Sequence, residues 1–296
     1  MDRKKKNTLR ERMEGAVFIG PAVLVFVPVV AIPFLYSIVI SLTKWDGISS
    51  EITWVGLTNY LKILTSDSDF NNSLWFTLRI SFVTSTVSNI LGIFFAVLLT
   101  KRLKIRNWGR TALLLPNIMS GVILGYIWQF IFTRGFPALG KLLGWGIFQL
   151  NWLGTPQTAF WGVAIVSIWQ WTGYTMIIYI AGINSISSDV WEAAMLDGAS
   201  GLGQFFRITL PLIMPSVTIC LFWTIVRSCT MFDLPYALTG GGPFRSSETI
   251  SMNLYTEAFT RNNYGLGSAK AMLFFVILLI VSQLQVHFSR KQEVEI

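Results

Sequence analysis

At 296 residues the chain has room for one or two domains, but 53% of its residues are hydrophobic, only 13% are charged, and its mean hydropathy is +0.57. That composition excludes an ordinary water-soluble domain and makes lipid the solvent for most of the chain. The net charge of +8 does not point to nucleic acid, because no polar segment is long enough to hold a reading module.

Crossing a hydrocarbon core of roughly 30 Å takes about 20 mainly apolar residues in a helix, since every backbone polar group must be satisfied within the segment. Six stretches meet this requirement, 15–43, 74–100, 110–133, 158–184, 208–234 and 268–288, and they predict an all-α, polytopic membrane protein. Residues 1–14 form a basic tail with Arg3, Lys4, Lys5, Lys6, Arg10 and Arg12. No small-residue cleavage pattern follows it, so the first span reads as a signal anchor. Pro21, Pro28 and Pro33 in the first span, and Pro211 and Pro215 in the fifth, predict kinks that neighbouring helices can accommodate.

The turn after the second span holds Lys101, Arg102, Lys104, Arg106 and Arg110 with no acid, whereas 44–73 sets Asp46, Glu51, Asp67 and Asp69 against Lys44 and Lys62. Positive charge concentrates on cytoplasmic flanks, so six spans place both termini, including the 289–296 tail, in the cytoplasm. The expected organisation is one bundle over 15–288 without internal repeats. The connections 44–73, 134–157 and 235–267 then lie outside, where they cover the mouth of the bundle or meet a partner. Gly135 to Lys141 resembles a phosphate loop, but Leu142 stands where a Ser or Thr would hold magnesium. Gly121 and Gly125 predict close helix approach. Cys220 and Cys229, two and a half turns apart, point to opposite faces and cannot bridge.

The inner connection 185–207 carries the most specific local chemistry. Asp189 can cap a short helix, Glu192 sits three residues on as in a capping box, and Gly198 is placed to stop it in a left-handed conformation. Ala193, Ala194, Met195 and Leu196 give this helix an apolar patch that asks for cover. It either lies on lipid or docks into a cytoplasmic partner, and the absence of a basic polar face favours the partner.

At these residues the chain resembles the permease subunits of binding-protein-dependent ABC importers. Glu192-Ala193-Ala194, Asp197-Gly198-Ala199 and Leu210-Pro211 with Pro215 stand at that family's spacing. Leu238 to Pro243, Tyr255 to Phe259, Val55 to Tyr60 and Leu115-Pro116 extend the likeness toward the maltose and glycerol-phosphate type. The resemblance implies a type I importer fold in a bacterial inner membrane and a second, homologous permease. It also implies two ATPase subunits that bind ATP and magnesium, an extracytoplasmic sugar-binding protein, and a saccharide substrate. It further implies that Glu192, Ala193, Ala194, Asp197, Gly198 and Ala199 couple to the ATPase, with no cofactor and no catalytic residue in this chain. Unlike the best-known maltose permease, the chain lacks extra N-terminal spans and a large outer domain.

Polar residues inside spans are the candidates for a substrate pathway, because a charge at mid-bilayer is costly to insert. Thr224, Arg227, Ser228 and Met231 follow i, i+3, i+4, i+7 spacing on the fifth span, with Asp233 beyond them. Arg227 either contacts substrate or pairs with Asp233. The fourth span offers Trp169, Gln170, Gly173 and Tyr174, whose aromatic faces and amide suit a sugar and would equally serve packing. His287 ends the last span at the interface, and no metal or nucleophile cluster is visible. The alternatives are import of glycerol phosphate or an acidic saccharide, which Arg227 would favour, or a membrane sensor or assembly subunit that only docks an ATPase.

Overall fold

The computed structural model describes residues 17–101, 104–198 and 201–293. The basic tail 1–14, Arg102 and Ala199 lie outside the described residues. The chain divides into two compact units, Met1–Ser66 with Leu254–Leu273, and Asp67–Asn253 with Phe274–Ile296. Five helices are long and apolar enough to cross a membrane, and a sixth span results if one sharply bent pair counts as one.

In the first unit, α1 (Val17–Ser41) exposes apolar side chains along most of its length and contains a widened, π-type turn at Val27–Ala31 around Pro28. A two-residue antiparallel ribbon follows, β1 (Thr43–Lys44) against β2 (Thr53–Trp54), and then α2 (Thr58–Ser66). Asn59 fastens α2 to the end of α1 by donating to the carbonyls of Ser41 and Thr43, both at 2.9 Å. The same unit buries Glu257, which accepts from Lys270 Nζ at 2.9 Å, from Arg261 at 3.1 Å and from Asn263 at 3.1 Å. Lys270 is itself fully buried, so this pairing removes two charges from an apolar setting together, and neither could be left alone there at modest cost.

The second unit is organised around α3 (Ser68–Thr100) and α7 (Pro156–Asn184). Asp67 starts α3 by accepting from the Phe70 amide at 2.9 Å, so the helix begins six residues before the expected 74. Thr155 starts α7 through a reciprocal cap with Thr158, and Pro156 occupies the first helical position, where a missing N–H does no harm. Phe76 and Ile80 share a core with Val163 and Val166, while Ala96 and Leu99 share another with Tyr179 and Ile183. The two helices therefore run parallel.

The expected third span, 110–133, is corrected. α4 (Arg106–Ile118) ends two residues after Pro116, Met119 and Ser120 are extended, and the apolar helix is α5 (Gly121–Leu143). Proline cannot donate to the helix ladder and crowds the preceding turn, which helps to end α4 here. The phosphate-loop mimic lies inside α5 as helix rather than as a loop. A short α6 (Gly146–Gln149) precedes α7.

The expected fifth span, 208–234, is corrected as well. α9 (Gly201–Leu212) and α10 (Met214–Cys229) meet at a 72° bend between Pro211 and Pro215. α10 stops at Cys229, and a separate α11 (Asp233–Thr239) packs on α5. Gly121 and Gly125 serve that contact: a Cβ on Gly125 would lie 2.5 Å from the Ala237 methyl. Beyond α12 (Ile250–Tyr255), the last long helix is α13 (Tyr264–Arg290).

Candidate functional site

The inner connection forms α8 (Ser188–Leu196). Because the helix starts at Ser188, Asp189 lies in its first turn rather than at the capping position, where it still faces the positive helix end. Gly198 adopts φ +72, the left-handed stop its position predicts. The expected apolar patch is divided. Val190 and Trp191 pack onto the core formed by Ala96, Leu99, Tyr179 and Ile183, and Ala194 is buried as well. Glu192, Ala193, Leu196, Asp197 and Gly198 are exposed, Leu196 at 89%. The bundle thus fixes one side of α8 and leaves an acid and a leucine on the other.

The expected stripe on the fifth span is also divided. Thr224 and Ser228 are fully buried against α3, with Ser228 Oγ 2.6 Å from Ser81 Oγ and Thr224 Oγ1 accepting from Asn89 Nδ2 at 3.0 Å. Tyr179 Oη completes the seam by donating to Asn89 Oδ1 at 2.6 Å. Arg227 is exposed on a different face. Met231 lies past the end of α10 and is buried core beside Leu234 and Leu238. Asp233 begins α11, exposed, and no ion pair joins it to Arg227 among the described residues. The helix end at Cys229 removes Met231 and Asp233 from the stripe, and within α10 packing against α3 covers Thr224 and Ser228 but not Arg227.

The fourth-span residues are dispersed in the same way. Gln170 is buried and donates to the Met119 carbonyl at 3.2 Å, satisfying backbone freed by the break between α4 and α5. Gly173 is where α4 crosses α7, and a Cβ there would lie 2.0 Å from the Leu113 carbonyl oxygen. Trp169 sets its half-exposed ring 5.5 Å from that of Trp128. Tyr174 is the residue that reaches α10, its ring 4.2 Å from that of Trp223 at 31°.

Trp223 is the residue missed in the sequence. It stands four before Arg227, on a stripe about 100° around the helix from Thr224 and Ser228. Tyr174 and Trp223 are partly buried, with Trp223 also touching the core, and the exposed Arg227 stands one turn from Trp223, so that an aromatic pair and a cation share one side of α10. The signal was the i, i+4 pairing of Trp with Arg, which competed with an equally spaced hydroxyl pair.

At the other end of α3 from α8, the segment after α11 is tightly held. Gly240 and Gly241 have positive φ, and Ser247 Oγ lies 2.5 Å from the Gly242 carbonyl and 2.8 Å from Thr239 Oγ1. Arg245 is paired with Glu248, Nε at 2.5 Å and Nη2 at 2.8 Å, and with Asp69 in the first turn of α3. Hydrogen bonding to Glu248, with a further contribution from both acids' charges, raises the guanidinium pKa above its already high value.

Residues 88–294 match the family of binding-protein-dependent transport system inner membrane components. The chain is 40% identical over 281 residues to a probable starch degradation products transport system permease protein of Thermoanaerobacterium thermosulfurigenes, covering 94% of each. It is 34% identical over 271 residues to a trehalose/maltose transport system permease protein of Thermococcus litoralis, covering 91% of each. A solved bacterial ABC transporter involved in import of the acidic polysaccharide alginate contains a chain of the same fold, with a TM-score of 0.82 at 21% identity over 98% of this chain and 99% of that one. The chain belongs to the binding-protein-dependent transport system inner membrane components, as a multi-pass permease and not as the ATPase.

Proposed function

We propose that this permease forms, with a second permease, the pathway of an ATP-driven importer for a sugar or oligosaccharide. ATPase subunits bind and hydrolyse ATP on its inner side, and a soluble extracytoplasmic protein delivers the sugar. The observation that carries this reading is α8, whose Val190 and Trp191 are seated on the bundle core while Glu192 and Leu196 are exposed to a partner. A rigid joint of this kind passes ATPase movement to α3 and α7. The substrate class rests on relatives with sugar-transport names and on the partly exposed Tyr174/Trp223 pair, where aromatic rings suit the C–H faces of sugars. Both termini are cytoplasmic in this reading, and 15–288 acts as the permease domain.

The test is coupling. With Glu192→Ala, and separately Gly198→Val at its positive φ, transport should fall while membrane insertion persists. Normal transport and normal ATPase stimulation in both variants would remove α8 from the coupling role. A reporter after Lys104 should behave as cytoplasmic and one after Asp67 as external.

One observation favours a second reading. Arg227 places an exposed cation beside the aromatic pair, which suits an acidic saccharide or glycerol phosphate. Competition of transport by neutral and acidic oligosaccharides separates the two substrate classes.

A further inference from the structure

Phe244 is 97% exposed, more than any other large hydrophobic side chain among the described residues. It is not on a loose loop. Its backbone has φ 51 and that of Arg245 φ 60, so two consecutive non-glycine residues occupy the left-handed region. Bulky residues are strongly disfavoured there and persist where the surrounding structure over-determines them.

That over-determination is visible on both sides. Ahead of Phe244, the Gly242 amide donates to the Thr239 carbonyl at 3.0 Å. Behind it, Arg245 is gripped by Glu248 and Asp69, Thr249 Oγ1 donates to the Met231 carbonyl at 3.0 Å, and the Ile250 amide donates to Thr77 Oγ1 at 2.8 Å. The turn is thereby tied to α3 at two points, Asp69 and Thr77. A phenyl ring held out by a rigid turn loses little further freedom on binding, which is what an interface anchor requires.

Position and surroundings select the partner. α3 has 33 residues and so spans about 50 Å at 1.5 Å per residue. Asp69 is at one end, and Leu99, in the core that seats Val190 and Trp191 of α8, is at the other. Phe244 therefore lies at the end of the bundle opposite the proposed ATPase contact. Arg245 and Asp69 beside it keep about a third of their side chains exposed, so the tip stands in water and not among lipid tails. A soluble protein is the occupant that fits.

We propose that Phe244 is the anchor by which this permease holds the soluble binding protein on which its family depends. The ring enters an apolar pocket on that protein, and the Asp69–Arg245–Glu248 network aims it. The inference rests on the importer reading above for the identity of the two ends.

The experiment uses the assembled importer in lipid vesicles and its cognate purified binding protein, loaded with substrate. Phe244→Ala and Phe244→Asp should each weaken direct binding of the fluorescently labelled binding protein by about tenfold or more. They should raise the concentration that half-saturates ATPase stimulation while leaving the plateau in place. Because the ring touches solvent almost everywhere, neither variant should alter assembly. A photoreactive phenylalanine analogue at 244 should cross-link to the binding protein. Unchanged affinity in both variants, or cross-linking to the second permease or to lipid instead, overturns the proposal. Direct binding needs no ATPase, so a weakened Phe244→Asp together with full coupling in both Glu192→Ala and Gly198→Val would refute the α8 reading and leave this one standing.

Discussion

The two faces of α10 are one residue apart in sequence and opposite in use. Thr224 and Ser228 are closed against Asn89 and Ser81 of α3, whereas Arg227 is exposed and Trp223 is partly buried with its ring against Tyr174 of α7. Hydroxyls in an apolar bundle gain most by bonding to one another or to a neighbouring helix carbonyl, and small side chains let the backbones approach. A long cationic side chain cannot be accommodated so cheaply and is left where a partner, substrate or water can reach it. Spacing of three and four residues identifies a helix stripe but does not say which of two adjacent stripes a neighbouring helix will cover.

Five substitutions test this division, and the largest effect is expected in the packed bundle, where α4 crosses α7. Gly173→Val puts branched carbon into the space held by the Leu113 carbonyl, so α4 and α7 must separate; overpacking of this kind costs about 3 kcal/mol or more. Little assembled protein should survive detergent extraction, and a normal yield with a normal melting temperature would show that the crossing yields easily. Arg227→Ala, on the open side, should leave assembly intact and reduce transport about tenfold, the scale of one charge-assisted hydrogen bond. Loss of the assembled protein instead would make Arg227 a structural partner and close the face.

Thiol labelling sharpens the contrast directly. In a background with Cys220 and Cys229 replaced, a cysteine introduced by Arg227→Cys should react with a small polar reagent, with substrate slowing it. The cysteine from Ser228→Cys should stay unreactive, because Ser228 is fully buried. Equal reactivity at the two positions would erase the distinction between the faces. The smallest effect belongs to Asn89→Leu, which removes the acceptor of Tyr179 and the donor to Thr224. Hydrogen bonds between membrane helices are worth about 1 kcal/mol each, so thermal unfolding in detergent should show a modest loss while transport continues.

Where the chemistry is local, the sequence was legible. α8 forms where it was expected, with Asp189 in its first turn rather than at a cap shared with Glu192, and Gly198 takes the positive φ expected of its stop. The expectation that Ala193 to Leu196 form one patch was less accurate, because the seating of Val190 and Trp191 on the Ala96, Leu99 and Ile183 core fixes how α8 is turned, with Ala194 buried and Leu196 exposed. The fifth span shows the same limit. Hydropathy runs on through 208–234, but the backbone bends by 72° at Ile213 and leaves the helix after Cys229. A window average cannot see a bend whose carbonyls are satisfied by neighbours, so Met231 and Asp233 were assigned to a helix that does not contain them.

By itself, the sequence determined the solvent of this protein, its helical class, the approximate place of its spans and the existence of α8. Apolar length, capping residues and a stopping glycine act on the chain that carries them. Only the tertiary structure decided which residues meet. Gln170 answers the Met119 carbonyl, Asn89 links Tyr179 to Thr224, and Arg245 reaches back 176 residues to Asp69 beside the exposed Phe244. The physical reason is that a polar group in an apolar bundle must find its partner wherever packing brings one, and that partner is a neighbour in space before it is a neighbour in sequence.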